Sequence, residues 1–309
     1  MTNSVKYSVV IPTYNSAEFL EDSITSITTA FEQKKLNFEL IIVDDFSSDA
    51  TWDTIRHIKS NSLARIKGVR LSKNFGQHKA TICGFNKASG EFVITMDDDL
   101  ESDPEQVEAL LNKQLETDAD LVYAHYTNLK RGPIRIIMFA VFRFFAKMVE
   151  GKNRVHGSSF RLLKINLAKA VVENANSFSF IDELCLWHTE RVEFVDMKHR
   201  VGLRSKSNYT IRGLVNTSAE LMLFSSDFPL RFIKYLGLTF AVVNLLIGSF
   251  YIVRKLIGKI EEPGFAALIV SILFSTGVIL FAIGIIGEYL NKVFKSVQNM
   301  PLYAIGDEL

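Results

Sequence analysis

The sequence predicts an α/β fold with a mostly parallel sheet, followed by a membrane hairpin of two helices. Three patterns carry this expectation. In the first half, short and nearly continuous apolar runs alternate with segments of helical periodicity, the signature of strands covered on both faces. Each apolar run ends in a polar cluster. Near the C-terminus lie two apolar stretches, Tyr235 to Val253 with Asn244 as its strongly polar residue and Phe265 to Gly287 without a charge, each close to the ~20 residues a helix needs to span a bilayer.

Taken in order, Tyr7 to Ile11 is a β-branched strand that runs into Pro12-Thr13-Tyr14-Asn15. Ser16 to about Lys34 reads as a helix, with Leu20, Ile24, Ile27 and Phe31 on one face. Phe38 to Asp45 is a second strand ending in two carboxylates, and Phe46-Ser47-Ser48-Asp49 turns the chain into a helix near Thr51 to Ile58. Gly68 to Leu71 is a third strand, closed by Ser72-Lys73-Asn74-Phe75-Gly76, and a helix follows from about Gln77 to Lys87. The fourth strand, Glu91 to Met96, leads into Asp97-Asp98-Asp99-Leu100-Glu101. Asp103 and Pro104 are the N-cap and N1 residue of a helix to about Thr117, and Asp120 to Ala124 is a fifth strand. In such sheets ligands bind beyond the carboxyl ends of the strands, where these polar clusters fall.

Composition excludes several classes. A net charge of +1 over 309 residues disfavours nucleic acid as a partner. The two cysteines, Cys83 and Cys185, lack metal or redox spacing and read as buried thiols; the histidines show no zinc pattern. No G-x-G-x-x-G follows the first strand, and no G-x-x-x-x-G-K-[ST] loop is present. A bound nucleotide would therefore be held by carboxylates and a metal. In extended chain Asp97, Asp99 and Glu101 point one way and Asp98 the other. Carboxylates this close repel unless a cation lies between them, and Mg²⁺ is usually held by one or two carboxylates plus substrate phosphates. An acidic turn before the next helix is the plainer reading of the same residues.

Ile134 to Val149 is apolar, with Arg135, Arg143 and Lys147 in one sector, and fits an amphipathic helix lying in a membrane interface. Phe194 to Val201 reads as a strand that leads to the cations Lys198, Arg200, Arg204 and Lys206, a set able to hold a phosphate. The chain opens without a cleavable signal, so the first half is expected to stay on the cytoplasmic side. The expected organisation is a catalytic domain over residues 1–212, a juxtamembrane helix over 213–231, two spans over 232–290 and a cytoplasmic tail over 291–309.

Val10-Ile11-Pro12-Thr13-Tyr14-Asn15, Val43-Asp44-Asp45-Phe46-Ser47-Ser48-Asp49, Leu71-Ser72-Lys73-Asn74-Phe75-Gly76-Gln77 and Met96-Asp97-Asp98-Asp99-Leu100 together resemble glycosyltransferase family 2, of GT-A fold. Ser159-Phe160-Arg161-Leu162, Ser205 to Tyr209, Ile286-Gly287-Glu288-Tyr289-Leu290 and Met300-Pro301-Leu302-Tyr303 are similar to the polyprenyl-phosphate glycosyltransferases within it. The resemblance implies that Pro12, Tyr14, Asn15, Asp44, Asp45, Lys73 and Asp98 bind the nucleotide sugar. It implies that Asp97 and Asp99, with Glu101, bind Mg²⁺ or Mn²⁺, and that Asp97, Asp99 and Arg161 are catalytic. Arg200, Arg204 and Lys206 would bind acceptor or diphosphate.

Two departures stand out: many relatives have Gly-Asp-Phe-Arg where this chain has Ser158-Ser159-Phe160-Arg161, and Ser205-Lys206-Ser207 replaces a Gly-x-Ser. The missing carboxylate need not abolish activity, because a phosphate monoester with a second pKa of about 6 is already mostly dianionic at neutral pH. The implied reaction is inverting, metal-dependent transfer of one sugar, from a UDP-sugar as the expected donor, to undecaprenyl phosphate for cell-envelope glycan modification. The implied setting is the cytoplasmic membrane, multi-pass, with the catalytic domain in the cytoplasm. The expected partners are the bilayer, a homo-tetramer by resemblance, and a downstream flippase and outer-face glycosyltransferase. Two alternatives remain. A processive polysaccharide synthase should carry Gln-x-x-Arg-Trp, whereas Trp187 lies in Leu184-Cys185-Leu186-Trp187-His188. A non-catalytic membrane scaffold has no need of Asp97-x-Asp99.

Overall fold

A computed structural model of the chain describes residues 5–62, 64–126, 157–175, 180–198, 228–257, 265–297 and 301–309. It divides into two compact units. The first is an α/β unit. Its elements begin with β1 (Tyr7–Thr13), α1 (Leu20–Gln33), β2 (Phe38–Asp44), α2 (Thr51–Asn61), β3 (Arg65–Leu71), α3 (Gln77–Lys87) and β4 (Phe92–Thr95). A 3₁₀ turn (Pro104–Gln106), α4 (Val107–Thr117), β5 (Leu121–Tyr126), β6 (Arg161–Lys164), α5 (Ile165–Asn174), α6 (Ile181–His188) and β7 (Val192–Met197) follow. After the second unit, β8 (Ile305–Glu308) completes the sheet.

The eight strands run in the order β7-β5-β6-β4-β1-β2-β3-β8. Pairings β1–β2, β1–β4, β2–β3 and β5–β7 are parallel, while β6 runs antiparallel to β4 and β5, and β8 antiparallel to β3. The mostly parallel α/β expectation is met. One apolar layer lies on each face of the sheet. Val9, Ile11, Leu40 and Ile42 meet Leu20, Ile24, Ile27 and Phe31 of α1, while Val10, Ile41 and Val43 meet Ala80, Cys83 and Phe85 of α3. Gly84 lets α3 lie directly on β1, since a Cβ there would overlap Val10. Asp103 caps the 3₁₀ turn by accepting from the Glu105 N–H, with Pro104 beside it, and the α-helix proper starts only at Val107. Cys83 and Cys185 are buried free thiols.

Three outcomes differ from the sequence reading. β6, α5 and α6 occupy a stretch, Arg161 to His188, to which the sequence reading assigned no strand or helix, each being too short to display a clear period. The strand expected at Phe194–Val201 is set two residues earlier, at Val192–Met197, by its pairing with β5. The segment expected as a tail carries β8. Its Gly306, Asp307 and Glu308 are poor strand formers, and tertiary contacts hold them instead. Asp307 accepts from Trp52 Nε1 at 3.2 Å and pairs with Arg56 at 2.9 Å; Glu308 pairs with Lys87 at 2.7 Å; and Leu309 packs on Gly68.

The second unit contributes α7 (Phe228–Leu256) and α8 (Phe265–Val297) among the described residues, with Phe240 and Phe274 in ring contact at 5.2 Å. Among the described residues one stretch, Phe274–Asn291 of α8, is long and apolar enough to cross a membrane. The expected interfacial helix at Ile134–Val149 lies outside the described residues, as does most of the juxtamembrane segment 213–231.

At the end of the sheet remote from the polar clusters, Glu39 is buried and fully engaged. It accepts from Ser8 Oγ at 2.7 Å, Ser89 N at 2.8 Å and Ser89 Oγ at 2.7 Å, and pairs with Lys67 at 2.8 Å. Burial works against its charge, yet Lys67 and the serines outweigh it and hold the carboxyl below its ordinary pKa. The stabilisation is therefore full above the ordinary carboxylate pKa and is lost as pH falls through the depressed value. We expect Glu39→Ala, which strands these donors, to cost about 1–3 kcal/mol at neutral pH. Thermal unfolding should show that deficit narrowing at acid pH.

Candidate active site

The carboxyl ends of β1, β2 and β3 place three polar side chains side by side. Register sets Thr13 opposite Asp44, and Asp44 opposite Arg70. Asp44 Oδ1 accepts from the N–H and the hydroxyl of Ser47 at 2.9 and 2.5 Å. Its Oδ2 lies 3.3 Å from Arg70 Nε but out of hydrogen-bond alignment. Thr13 Oγ1, Asp44 Oδ2 and Arg70 Nε are buried polar atoms without a hydrogen-bond partner among the described residues. Burial raises the Asp44 pKa despite Ser47 and Arg70. Three unpaired buried polar atoms in one row are unusual in a folded protein, and they combine donor and acceptor capacity.

The loops beyond β1 and β2 are laced together. The Asn15 N–H donates to Ser47 Oγ at 2.9 Å, and Asn15 Oδ1 accepts from the Ser48 N–H at 2.9 Å. Asn15 (φ 51°) and Phe46 (φ 62°) take left-handed conformations that fold these loops back. The Arg70 guanidinium lies 5.4 Å from the Phe46 ring centroid, and Phe46 and Tyr14 are both exposed. Asp45 has a different task. Its two oxygens accept from the N–H groups of Phe75 and Gly76, each at 2.7 Å, fixing the turn into α3, where Gly76 takes φ 92°. Burial raises its pKa against those two bonds. Lys73 is exposed, with its ammonium 5.1 Å from the Phe75 ring centroid.

The acidic cluster lies just past β4, and its residues separate. Asp98 is buried, accepts from Ser16 Oγ, and uses its carbonyl to accept from Ser23 Oγ at 2.6 Å. Asp97 opens into a cavity, its Oδ1 accepting from Gln77 Nε2 at 2.6 Å and its Oδ2 from Ser159 Oγ at 2.5 Å. Asp99 Oδ1 accepts from the Glu101 N–H at 3.1 Å across Leu100, whose φ is 58°. Burial pushes the Asp97 carboxyl up to about 6 against the Ser159 bond, with Asp99, Asp98 and Glu101 adding to the rise.

Whether these residues suit a divalent cation follows from the donor set. Among the described residues no three His, Cys, Asp or Glu side chains converge as a closed metal cage. Asp97 and Asp99 instead supply hard oxygen donors whose mutual repulsion a cation would relieve. Two carboxylates completed by substrate phosphates is the usual Mg²⁺ arrangement, so the residues fit an open site, with Glu101 at its exposed margin.

A second row crosses β4, β6 and β5, where register aligns Thr95, Arg161 and Tyr123. Arg161 is buried, donates to Thr95 Oγ1 at 3.2 Å and pairs with Asp182, while the Tyr123 hydroxyl donates to Asp182 Oδ1 at 2.8 Å. Asp182 holds Arg161 charged against the cost of burial. Pro12, Gln77, His78, Asp97, Ser159 and Arg161 are among the residues lining a cavity beside this second row, with Asp182 also in its wall. Partial loss of solvent against the cavity wall, and then the Arg161 guanidinium, lower the pKa of His78, whose side chain keeps an exposed edge, and this favours the neutral imidazole.

The structure thus brings Pro12, Asp97 and Arg161 to one cavity and aligns Asp44 with Thr13 and Arg70. It gives both oxygens of Asp45 to the protein backbone, buries Asp98, and leaves Lys73 outside the lining. Arg200, Arg204 and Lys206 lie outside the described residues. Sequence reasoning missed Arg70, His78, Tyr123 and Asp182. Arg70 becomes visible only through register with Asp44, and Asp182 arrives from a helix that carries no motif.

The model of glycosyl transferase family 2 matches residues 8–156. The chain is 31% identical over 308 residues to the uncharacterized glycosyltransferase sll0501 of Synechocystis sp., covering 98% of this chain and 96% of that protein. It is 28% identical to the undecaprenyl-phosphate 4-deoxy-4-formamido-L-arabinose transferase of Serratia proteamaculans, covering 97% and 93%. Among solved structures, glucosyl-3-phosphoglycerate synthase from Mycobacterium tuberculosis, in complex with Mn²⁺, UDP-glucose and phosphoglyceric acid, superposes with a TM-score of 0.53 at 20% identity, over 72% of this chain and 79% of that one. That likeness shows the GT-A-like α/β fold.

Gly157 tests the second row. A Cβ there would overlap the Tyr123 ring and lie 2.9 Å from Asp182 Oδ1. We expect Gly157→Ala to displace Tyr123 and the Asp182 carboxylate that pairs with Arg161, and to lower the turnover of purified enzyme by about tenfold or more. The far-UV circular dichroism spectrum should stay unchanged.

Proposed function

Since the chain belongs to glycosyltransferase family 2, we propose that it moves one sugar from a UDP-sugar to a polyprenyl phosphate, undecaprenyl phosphate in a bacterial envelope, with inversion at the anomeric carbon. The observation that carries the donor half of this reading is the row of Thr13, Asp44 and Arg70 with its partnerless buried atoms. A uracil edge offers an N–H between two carbonyl oxygens, which matches a carboxylate acceptor flanked by a hydroxyl and a guanidinium. Exposed Tyr14 and Phe46 offer faces for the base to stack on.

From there the diphosphate reaches towards Asp97 and Asp99, which would hold Mg²⁺ or Mn²⁺, with Glu101 beside them. That ion, when bound, neutralises charge gathering on the departing nucleoside diphosphate. Ser159 and Gln77 hold the Asp97 carboxylate from either side. Asp45 and Asp98 act through positioning, the first on the turn into α3 and the second on Ser16. Arg161, paired with Asp182, shapes the cavity and offsets part of its negative charge. The acceptor phosphate needs no strong base, because it is already mostly dianionic near neutral pH. Orientation and charge neutralisation supply the rate, with Arg200, Arg204 and Lys206 assigned to the acceptor phosphate. Relatives named for undecaprenyl-phosphate transfer, matched along nearly their whole length, support that acceptor.

Connectivity supports a two-helix hairpin. β7 precedes the second unit and β8 follows it, yet both belong to one sheet. The chain must leave and regain the same side of a bilayer, so the number of crossings is even. If α8 crosses at Phe274–Asn291, a second segment must return, and α7 is the candidate. Leu238, Leu246 and Phe250 of α7 are outward-facing, as are Leu280 and Phe281 of α8. We place the catalytic unit on the cytoplasmic face of the membrane.

Two measurements check this. With purified full-length protein, labelled UDP-sugar and short-chain polyprenyl phosphate, EDTA should abolish lipid product. Asp99→Ala should lose about 100-fold or more in turnover while remaining in the membrane fraction, and near-normal turnover would refute the metal assignment. A cysteine placed at Ile257, between the helices, should react with an impermeant maleimide added outside intact cells. Labelling only after lysis would overturn the hairpin.

A further inference from the structure

The cavity beside Asp97 holds two polar side chains with atoms that the proposed transfer chemistry leaves unassigned. His78 lies in the first turn of α3 and Asp182 in the first turn of α6, and both face the cavity. Asp182 commits Oδ1 to the Tyr123 hydroxyl and the Arg161 guanidinium. Among the described residues no hydrogen bond reaches its Oδ2. The same holds for both ring nitrogens of His78, whose ring meets Phe180 edge-on at 5.2 Å between centroids. Both groups are thus held in place by neighbours while their outward atoms stay open.

We propose that His78 and Asp182 read the hydroxyl groups of the donor's sugar, and that this sugar is neutral. The inference rests on the nucleotide-sugar reading above and deepens it. A free carboxylate oxygen accepts from a hydroxyl, and a neutral imidazole supplies one donor and one acceptor. The pair therefore matches a ring that presents adjacent hydroxyls. Tyr123 and Arg161 lock the Asp182 carboxylate, so recognition requires little reordering of the protein. The charge of the cavity sets the second half of the proposal. Arg161 is already neutralised by Asp182, and Asp97 adds a further carboxylate. Among the described residues lining the cavity Arg161 is the one cationic side chain, and a divalent ion at Asp97 and Asp99 would be matched by the diphosphate, so a uronic acid would bring another anion beside Asp97 and Asp182.

The test measures dissociation constants of UDP, UDP-glucose, UDP-galactose, UDP-N-acetylglucosamine and UDP-glucuronate on the full-length protein in detergent with Mn²⁺. In the wild type, UDP-glucuronate should bind at least about tenfold more weakly than the tightest neutral UDP-sugar. His78→Ala, on an exposed helical turn, should weaken that neutral sugar about tenfold while UDP stays within about twofold. Asp182→Asn keeps an acceptor for Tyr123 but removes charge, and should narrow the gap to UDP-glucuronate. The inference is overturned if His78→Ala weakens UDP and UDP-sugars equally, if it changes neither, or if UDP-glucuronate binds tightest. A wild-type protein that binds neither UDP nor any UDP-sugar overturns the nucleotide-sugar reading and this inference together.

Discussion

Register across the parallel strands is the constraint on which the site depends. Thr13, Asp44 and Arg70 belong to three strands separated by whole helices, and only the pairing of β1 with β2 and of β2 with β3 makes them neighbours. A slip of one residue in any of these strands would turn its member of the row to the opposite face of the sheet. The apolar layers prevent that slip. Val9, Ile11, Leu40 and Ile42 on one face, and Val10, Ile41 and Val43 on the other, are fully buried. The hydrophobic effect thus fixes, through register, where buried polar atoms are left open. On the proposed reading, a nucleotide that supplied the missing hydrogen bonds would offset the cost of leaving them partnerless.

The acidic residues illustrate how one short run is divided among tasks. Asp98 is turned into the protein and ties the loop after β4 to Ser16 and Ser23. Asp97, its neighbour, stays at the cavity, where loss of solvent and nearby like charges push its carboxyl up to about 6. That shift shows an acid group held in an environment that disfavours its charged form. Asp44 and Asp45 divide the work in the same way. One remains partly unsatisfied beside Arg70, while the other spends both oxygens on the backbone that opens α3.

The last strand changes how the chain is understood. β8 seals the β3 edge of the sheet, so residues that follow the apolar helices complete the same α/β unit that precedes them. Covering an exposed edge in this way removes a row of unpaired backbone groups. It also ties the two ends of the apolar segment to one body, a topological restraint that composition alone does not contain. Trp52, Arg56 and Lys87, from two helices remote in sequence, secure the strand through Asp307 and Glu308.

Much of this was legible in the amino-acid sequence alone. Apolar runs of β-branched residues marked β1, β2 and β4; the Leu20, Ile24, Ile27 and Phe31 stripe marked α1; and the polar ends of the strands located the ligand edge. These features are local, because side-chain periodicity and strand length are written within a few consecutive residues. The sequence also contained the family motifs around Asp44 and Asp97. It did not contain Arg70 beside Asp44, the Arg161–Asp182–Tyr123 group, the cavity faces of His78 and Asp182, or the return of β8. Those depend on which distant segments pair and in what register, and that choice is made by burial across the whole sheet rather than by any single stretch.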